Sequence, residues 1–201
     1  MKVGILALTS SNYNSIGRAL NWLGAECIYI KNPTQINQIS HLILPGVSNF
    51  KSVMGELHDS GLVTPLEKLK IQGLPILGLC AGMQVMGSHS EESPGVEGLN
   101  WFDFKVESVV PNKNLNVRTF HTGWNEVQCE SVSEHIDLSG VYYFNHSYYV
   151  RKLNDDYKIG ISYYGEKFTS VIKKDNVIGA QFHPEKSQTA GLKFLEKFIK
   201  S

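Results

Sequence analysis

The most informative stretch of the chain reads Leu74-Pro75-Ile76-Leu77-Gly78-Leu79-Cys80-Ala81-Gly82-Met83-Gln84. Its first six residues form an apolar run with the continuity of a buried parallel strand. A Gly-x-Cys-x-Gly pattern ends this run and a helix-compatible segment begins at once, which is the form of a nucleophile elbow with sulfur in place of the serine oxygen. The stretch therefore predicts a sharp strand-to-helix turn that presents Cys80 as a nucleophile.

The two glycines that flank Cys80 have a steric reason in such a turn. The nucleophile of an elbow adopts a sparsely allowed backbone conformation, and side chains two positions either way would collide, so Gly78 and Gly82 relieve crowding. The helix N-terminus that follows offers positive potential and free N–H groups, which favour a thiolate and can stabilise an oxyanion. Taken alone, the pentapeptide fits equally well a buried, inert cysteine beside glycines that only shape a turn.

A second segment, Val177-Ile178-Gly179-Ala180-Gln181-Phe182-His183-Pro184-Glu185-Lys186-Ser187, favours the catalytic interpretation. If strand geometry persists, side chains two residues apart point to the same side, so His183 and Glu185 can share a face. A cysteine nucleophile needs a base, and a neutral imidazole needs a partner that fixes its tautomer. The alternative is an exposed His-Pro-Glu turn before a helix. Together the two segments favour a Cys80-His183-Glu185 triad.

Strands and helices alternate in the first half of the chain, which is the rhythm of βαβ units. The predicted strands there are Lys2–Leu8, Ala25–Ile30, His41–Leu44, stopped by Pro45-Gly46, and Leu74–Leu79. The predicted helices run from Ser11 or Asn12 to about Leu23, and over two stretches between about Phe50 and Gln72.

From Gly98 onward, short runs separated by turn residues predict a series of strands. These runs are Asn100–Val110, Trp124–Val127, Val141–Phe144, Ser147–Val150, Ile159–Tyr164, Phe168–Lys173 and Val177–Phe182. Ser187 can cap a closing helix whose apolar face holds Leu192, Leu195, Phe198 and Ile199. We therefore expect one α/β domain over residues 1–201, with a central, mostly parallel sheet flanked by helices and with additional antiparallel strands.

Composition excludes several classes of function. A chain of 201 residues with 42% hydrophobic residues can close one core. The formal net charge is zero, which disfavours a nucleic-acid or anionic-membrane partner, and no apolar stretch is long enough to span a bilayer, so we expect a cytoplasmic protein. Three cysteines without a CxxC pair and scattered histidines predict neither a disulfide framework nor a metal site. No nucleotide-binding loop is present, so no cofactor is expected.

Two segments together resemble the paired signature of class I, triad-type, glutamine amidotransferases: Gly78–Gln84 and Gln181–Ser187. More narrowly, His121–Asn125, Tyr142–Val150 and Ser187–Leu192 are similar to stretches of HisH, the glutaminase subunit of imidazole glycerol phosphate synthase. The resemblance runs from the first strand to the last helix. It implies the flavodoxin-like fold of that family.

The resemblance also implies a role for each matching residue. Cys80 attacks the side-chain amide of glutamine to form a γ-glutamyl thioester, His183 passes the proton to the departing ammonia, and Glu185 holds the imidazole. Water then releases glutamate. The remaining matches are the oxyanion-hole positions Gly46, Val47 and Ala81 and the glutamine-binding positions Gln84, Ser147 and Tyr148.

Ammonia needs a second active site, because in bulk water at neutral pH most of it is protonated and no longer nucleophilic. In this family the partner is a (βα)₈-barrel cyclase, HisF, which uses the ammonia to form imidazole glycerol phosphate and an aminoimidazole carboxamide ribotide in histidine biosynthesis. The resemblance implies a heterodimer with Asn12, His121, Trp124 and Lys186 near the interface. A tryptophan in Gly-Trp-Asn could equally belong to the core.

Several positions depart from the family pattern, and they cluster where the partner docks. Leu8-Thr9-Ser10-Ser11-Asn12 stands where the family has Asp-Tyr-Gly-x-Gly-Asn, Ser48 replaces the last glycine of Pro-Gly-Val-Gly, and Phe120 and Thr122 replace a proline and a methionine. Three alternatives stay open at this point. They are a paralogue that feeds ammonia to a HisF-like synthase acting on a bacterial surface sugar, a non-catalytic interaction subunit, and a peptidase of the same fold.

Overall fold

The computed structural model of the chain describes residues 1–9, 11–115, 117–129, 138–151, 153 and 157–201. Its strands are β1 (Lys2–Leu6), β2 (Glu26–Ile30), β3 (His41–Gly46), β4 (Ile76–Cys80), β5 (His89–Ser90), β6 (Lys105–Ser108), β7 (His121–Cys129), β8 (Gly140–His146), β9 (Tyr148–Arg151), β10 (Lys158–Tyr164), β11 (Glu166–Lys174) and β12 (Val177–Ala180). Its helices are α1 (Tyr13–Trp22), α2 (Phe50–Asp59), α3 (Val63–Ile71), α4 (Ala81–Gln84) and α5 (Gln188–Ile199).

The parallel half of the sheet has the order β2-β1-β3-β4-β12, with each neighbouring pair parallel. The prediction that Pro45-Gly46 stops β3 is wrong, because Pro45 pairs with Leu79 and Gly46 with Cys80. Pairing of β3 with β1 ends at Ile43, so the missing N–H of Pro45 leaves no ladder bond open on that side.

The other half of the sheet is antiparallel and continues from β12 through β11, β10, β7 and β8. Strand β9 pairs with β11 and β6, and β6 pairs with β5. The predicted strand Asn100–Val110 is reduced to Lys105–Ser108. Trp101 and Phe102 instead donate their backbone N–H groups to the carbonyl of Met86, at 2.8 and 3.1 Å, which turns the chain there.

Helices cover both faces of the parallel half, which confirms the predicted α/β architecture. Apolar residues of α2 and α3 pack with Leu42 and Leu44, whereas those of α1 and α5 pack with Ile43 on the opposite face. The alternation along β3 is that of a strand buried on both sides. On α5 the buried face is completed by Phe194 rather than by the predicted Leu192, which is only half-buried.

In the part of the chain that the structure describes, none of the helices is long and apolar enough to cross a membrane.

Candidate active site

Cys80 lies at the junction of β4 and α4 in a conformation that only a tight elbow enforces. Its φ is 53° and its ψ is −113°, a positive φ that costs energy for any residue with a side chain. A Cβ at position 82 would lie 1.9 Å from the carbonyl oxygen of Leu44, and one at position 78 would lie 2.7 Å from the carbonyl oxygen of Gly82. The glycines at both positions are therefore sterically required, as the sequence predicts.

His183 and Glu185 meet just beyond the end of β12. The Nδ1 atom of His183 lies 3.1 Å from Oε1 of Glu185, and both side chains are almost completely buried. Strand β12 ends at Ala180, and Pro184–Lys186 form a 3-10 turn that begins directly after His183. The turn, and not the strand periodicity used in the prediction, brings the two side chains together.

His183 also interacts electrostatically with Cys80, so the three predicted catalytic side chains belong to one cluster. Burial lowers the pKa of His183, but the charge of Cys80, a hydrogen bond with Cys80 and the contact with Glu185 together raise it to about 10. An acidic group on each side of the ring therefore stabilises its protonated form. This is the electrostatic arrangement that a thiolate and imidazolium pair needs.

Strand β8 holds the histidine turn in place. The backbone N–H of His183 donates to the carbonyl of Tyr143 at 2.9 Å, and the N–H of Tyr143 donates to Oγ of Ser187 at 2.9 Å. The same Ser187 hydroxyl donates to the carbonyl of His183 at 2.6 Å. Ser187 precedes α5 as predicted, but its hydroxyl fixes this turn and does not cap the helix.

The predicted oxyanion-hole residues surround the elbow. Gly46 is the register partner of Cys80, and a Cβ there would lie 2.8 Å from Cβ of Ala81 and 2.9 Å from the backbone nitrogen of Gly82. Ala81 is the first residue of α4, where a backbone N–H has no partner within the helix. Val47 is exposed. Among the described residues, the buried Oγ of Ser48 has no hydrogen-bond partner.

The structure brings together two of the three predicted glutamine-binding residues. The Nε2 of Gln84 donates to the carbonyl of Tyr148 at 2.9 Å, so these residues line one side of the elbow. Ser147 is exposed in the bend between β8 and β9, and its carbonyl accepts a hydrogen bond from Val109.

The predicted interface residues divide into exposed and buried positions. The indole of Trp124 is 49% exposed and contacts the ring of Tyr143 edge-on at 6.0 Å, while Nζ of Lys186 lies 5.8 Å from the centroid of the same ring. We call these three residues the aromatic edge. Asn12 is partly exposed directly before α1.

His121 requires a correction, because its side chain is only 4% exposed and does not lie on a docking surface. The imidazole is stacked between Phe144 and Tyr164, with ring centroids 4.8 and 4.2 Å away. Side chains alternate along β7, so His121 points into the core whereas Trp124, three residues on, points out. The core alternative for Trp124 is therefore wrong.

His121 and His146 form a buried histidine pair across β7 and β8. The Nδ1 atom of His121 lies 3.1 Å from Nε2 of His146. Burial lowers the pKa of His121 to about 4. Burial and the neighbouring His121 lower the pKa of His146 to about 3. Both rings are therefore neutral at physiological pH.

Sequence reasoning missed two groups that approach the sulfur of Cys80. Nε2 of Gln181 lies 3.7 Å from Sγ, and the carbonyl oxygen of Asn145 lies 4.0 Å from it. Gln181 is fully buried. A signal was present, since Gln181 is a polar residue that directly follows the apolar strand Val177–Ala180.

Comparison with known proteins identifies the family of the chain. The profile of the family described as Glutamine amidotransferase class-I matches residues 5–201 of the chain. The chain belongs to the class I glutamine amidotransferases.

A relative from Methanopyrus kandleri, named imidazole glycerol phosphate synthase subunit HisH, is 39% identical over 99% of this chain and 98% of its own length. One from Campylobacter jejuni strain RM1221, named subunit HisH 1, is 37% identical over 98% of this amidotransferase and 99% of its own length. One from Vibrio vulnificus, named subunit HisH 2, is 35% identical over 99% and 94%. This amidotransferase therefore belongs to the HisH group.

Solved structures agree on the fold. A crystal structure of a glutamine amidotransferase superposes with a TM-score of 0.76 at 19% identity, covering 98% of this amidotransferase and 97% of that chain. The structure of PurLQS from Thermotoga maritima gives a TM-score of 0.70 at 15% identity, covering 99% and 95%. These likenesses confirm the predicted class I amidotransferase fold.

Proposed function

We propose that this chain, acting as one domain over residues 1–201, hydrolyses L-glutamine to glutamate and ammonia as the glutaminase subunit of imidazole glycerol phosphate synthase. The observation that carries the proposal is the strained elbow that presents Cys80, at a φ of 53°, in electrostatic interaction with His183, whose Nδ1 lies 3.1 Å from Oε1 of Glu185. Membership of the HisH group supports the pathway, because its relatives carry the name of that synthase.

The chemistry proceeds in two halves on this triad. The thiolate of Cys80 attacks the side-chain amide carbon of glutamine, and the imidazolium of His183 gives its proton to the amide nitrogen, so the C–N bond breaks and ammonia leaves. A γ-glutamyl thioester remains. His183 then takes a proton from water as the oxygen attacks the thioester carbon and the C–S bond breaks, which restores the thiolate of Cys80 and the imidazolium of His183. Glutamate leaves, and its new carboxyl group gives its proton to solvent. Glu185 orients the ring in both halves.

The oxyanion that forms in each half needs N–H donors beside the sulfur. Ala81 directly follows Cys80 and supplies one free backbone N–H at the start of α4, and the Gly46-Val47 segment lies opposite as the source of the other. Removing one such donor typically costs about 2.7–4 kcal/mol of barrier. The conformation of the Gly46–Val47 peptide is therefore a natural point of control for activity.

The amino-acid end of the substrate needs polar partners, and we assign these to Gln84, Ser147 and Tyr148. Nε2 of Gln84 is held by the carbonyl of Tyr148, so its Oε1 is the atom left to accept from the substrate ammonium group. Ser147 lies exposed beside Tyr148, where a hydroxyl can meet the carboxylate.

The ammonia passes, in this proposal, to a HisF-type (βα)₈-barrel cyclase bound as a heterodimer. The aromatic edge (Trp124, Tyr143 and Lys186) is joined to the turn that carries His183 by the backbone hydrogen bond from His183 to Tyr143. Exposed aromatic and cationic side chains are typical of a docking surface. Asn12 completes the surface, and His121 supports it from beneath. The three free thiols suit the reducing cytoplasm, where we place the reaction.

The test mixes the purified chain with a HisF protein, the ribulosyl ribotide substrate and glutamine, and measures glutamate and imidazole glycerol phosphate. We expect glutamine-dependent imidazole formation, which Cys80→Ala abolishes. Ammonium salts at alkaline pH are the control, since they supply ammonia directly and show that the cyclase in the Cys80→Ala mixture is active. Unchanged glutamate release by Cys80→Ala would rule out the nucleophile.

A second candidate is a paralogue that supplies ammonia to a HisF-like synthase acting on another acceptor, such as a bacterial surface sugar. Departures from the family pattern favour it. Phe120 is 45% exposed. The hydroxyl of Thr122 donates a hydrogen bond to the side-chain oxygen of Asn145, whose backbone carbonyl lies 4.0 Å from Sγ of Cys80. Imidazole formation in the test above eliminates this candidate, whereas glutaminase activity only with a different synthase supports it.

A further inference from the structure

Gln181 occupies a buried position directly beside the sulfur of Cys80. Strand β12 pairs in parallel register with β4, with Ala180 opposite Leu79, so the next residue of each strand is Gln181 on one side and Cys80 on the other. The Gln181 side chain is fully buried, and its Nε2 lies 3.7 Å from Sγ. A buried amide needs a reason, because an unpaired one is costly.

The orientation of this amide is dictated by its neighbours. The carbonyl of Tyr148 can only accept, so the atom of Gln84 that faces it at 2.9 Å is the donor Nε2. The same Nε2 lies 3.1 Å from Gln181, which must therefore present its oxygen to Gln84. The NH₂ group of Gln181 is left pointing at the sulfur.

The anchor of this chain of hydrogen bonds is itself fixed from the other side. Nδ1 of His146 lies 2.9 Å from the same Tyr148 carbonyl, so Nδ1 carries the proton and Nε2 accepts from Nδ1 of His121 at 3.1 Å. Two donors thus hold the Tyr148 carbonyl. Because the Tyr148 carbonyl can only accept, it fixes which atom donates in each hydrogen bond of the series that runs from His121 to Cys80.

We propose that Gln181 is a positioning residue for the nucleophile, whose Nε2–H group donates to Sγ of Cys80, fixes the sulfur toward the substrate amide and favours the thiolate. The inference rests on the proposed function only in taking Cys80 as the nucleophile. An N–H donor to an anionic sulfur is a charge-assisted hydrogen bond, which is stronger than the same bond to a neutral thiol. The donor therefore stabilises the charged form of the nucleophile.

Other groups act on the same sulfur and must be separated from Gln181 in a test. His183 faces it as the titrating partner, with Glu185 behind the ring. His146 interacts electrostatically with His183 and is kept neutral by burial. The carbonyl of Asn145 is an acceptor and cannot stabilise a thiolate. Gln181 is thus the neutral side-chain donor in this set.

The test follows the rate of alkylation of Cys80 by iodoacetamide between pH 5 and 10, measured on the Cys80 peptide by mass spectrometry so that Cys27 and Cys129 do not contribute. Gln181→Leu removes the donor, and Gln181→Glu keeps the shape but turns a donor into a charged acceptor. We expect the pH midpoint of alkylation to rise by about one pH unit in Gln181→Leu and by more in Gln181→Glu.

Ser170→Ala is the matched control. Ser170 is equally buried on the neighbouring β11, its hydroxyl donates to the carbonyl of Gly160 at 3.0 Å, and its carbonyl accepts from the backbone N–H of Gln181 at 2.9 Å. It therefore measures the effect of losing a buried polar group near Gln181 without touching the sulfur. We expect a lower melting temperature and an unchanged alkylation midpoint.

Wild-type midpoints in both Gln181 variants would overturn the proposal, as would a shift of equal size in Ser170→Ala. If Gln181→Leu does not fold, as judged by circular dichroism, the isosteric Gln181→Glu decides. Alkylation needs neither glutamine nor a partner, so a wild-type complex without glutaminase activity would refute the proposed function and leave this result standing. In an active complex, we expect the Gln181 variants to lower kcat more than they raise KM.

Discussion

Gly82 lies so close to β3 that a single methyl group decides whether the elbow can form. A Cβ there would lie 1.9 Å from the carbonyl oxygen of Leu44 and 2.8 Å from its carbonyl carbon, and backbone cannot move aside as a flexible side chain can. We expect Gly82→Ala to lower the free energy of unfolding by about 1–3 kcal/mol, the range for overpacked cores. Urea denaturation measures it.

Gly55 offers the matched control for that substitution. It lies within α2, and a Cβ added there meets no atom within 4 Å. Because alanine restricts the unfolded chain and favours helix, Gly55→Ala should raise the free energy of unfolding by about 0.5–1 kcal/mol. Equal urea midpoints for Gly82→Ala and the wild type would contradict the steric argument.

Glu185 acts on catalysis through the ring of His183. Replacing it with glutamine keeps the shape but lets an NH₂ group face Nδ1, which favours the wrong tautomer, so kcat of the complex should fall by about 10²–10⁴-fold with KM little changed. Glu185 also contributes to raising the pKa of His183 to about 10, so the protonated ring is retained until the pH rises through that value. In Glu185→Gln this loss should occur at lower pH.

The measurement is kcat for glutamate release against pH, with Glu126→Gln on the exposed side of β7 as the control. The alkaline limb of the profile should move to lower pH in Glu185→Gln and stay in place in Glu126→Gln. An alkaline limb that moves upward, or a wild-type kcat, would show that Glu185 does not hold the ring.

The sequence predicts the roles of some of these site residues and not of others. The role of Cys80 and its glycines is predictable only together with the segment around His183, because the pentapeptide alone also fits an inert cysteine in a turn. The contact of His183 with Glu185 is also predictable from spacing, although the turn that makes it is not. Gln181 was not singled out. A polar residue directly after an apolar strand is a signal, but local pattern does not show that its side chain points inward toward a sulfur on another strand.

At the scale of elements, the histidine pair joins β7 to β8 and makes their packing sensitive to pH. Burial lowers the pKa of His121 to about 4 and that of His146 to about 3. In the unfolded chain both imidazoles are protonated once the pH falls below their ordinary pKa of about 6.5, whereas in the folded chain they stay neutral. The free energy of unfolding therefore falls as the pH drops below about 6.5. The slope is about 1.4 kcal/mol per pH unit for each histidine.

His121→Phe tests this, since a phenyl ring suits the stacked site between Phe144 and Tyr164. Between pH 6 and 5 the free energy of unfolding should fall less steeply in the variant than in the wild type, whatever the effect of the substitution at pH 7. The two slopes should differ by about 1.4 kcal/mol per pH unit, the contribution of one histidine. Urea midpoints at several pH values measure the slope. His58→Gln, at an exposed position, is the control and should keep the wild-type slope. A wild-type slope in His121→Phe would show that the histidine pair does not cause the pH sensitivity.

The elements themselves show where local pattern stops being sufficient. Alternation and turn residues predict most strands to within a few residues. They end β3 too early, because the tolerance of Pro45 depends on where its pairing with β1 stops. They extend the strand around Lys105–Ser108 too far, because Trp101 and Phe102 are apolar for packing in a turn and not for strand alternation.

Over the whole molecule, the site collects at one edge of the sheet. β3, β4 and β12 are parallel, so Gly46, Cys80 and Gln181 all lie at carboxyl ends, where open α/β sheets place their sites. This edge follows from the βαβ rhythm of the sequence. The identity of the ammonia acceptor does not, because it depends on a surface of another protein.

The two exposed tryptophans lie at opposite edges of the sheet. Substituting each of them distinguishes a loss of partner binding from the general effect of removing an exposed indole. Trp124 is 49% exposed within the aromatic edge. Trp22 is 76% exposed at the end of α1, which starts after the carboxyl end of β1 and returns to the amino edge before β2. Central interface tryptophans often contribute about 2 kcal/mol or more. Trp124→Ala should therefore weaken binding of the cyclase by about 30-fold.

Calorimetric titration of the cyclase into each variant measures the affinity, and alkylation of Cys80 reports whether the elbow is intact. Trp22→Ala should bind as the wild type does, since the amino edge is remote from the path of ammonia. Trp124→Ala should keep the wild-type alkylation profile while losing affinity, because the indole packs on Tyr143 from outside and does not contact the triad. Equal losses in both variants would place the partner elsewhere on the molecule, and the ammonia would then have no enclosed route from Cys80.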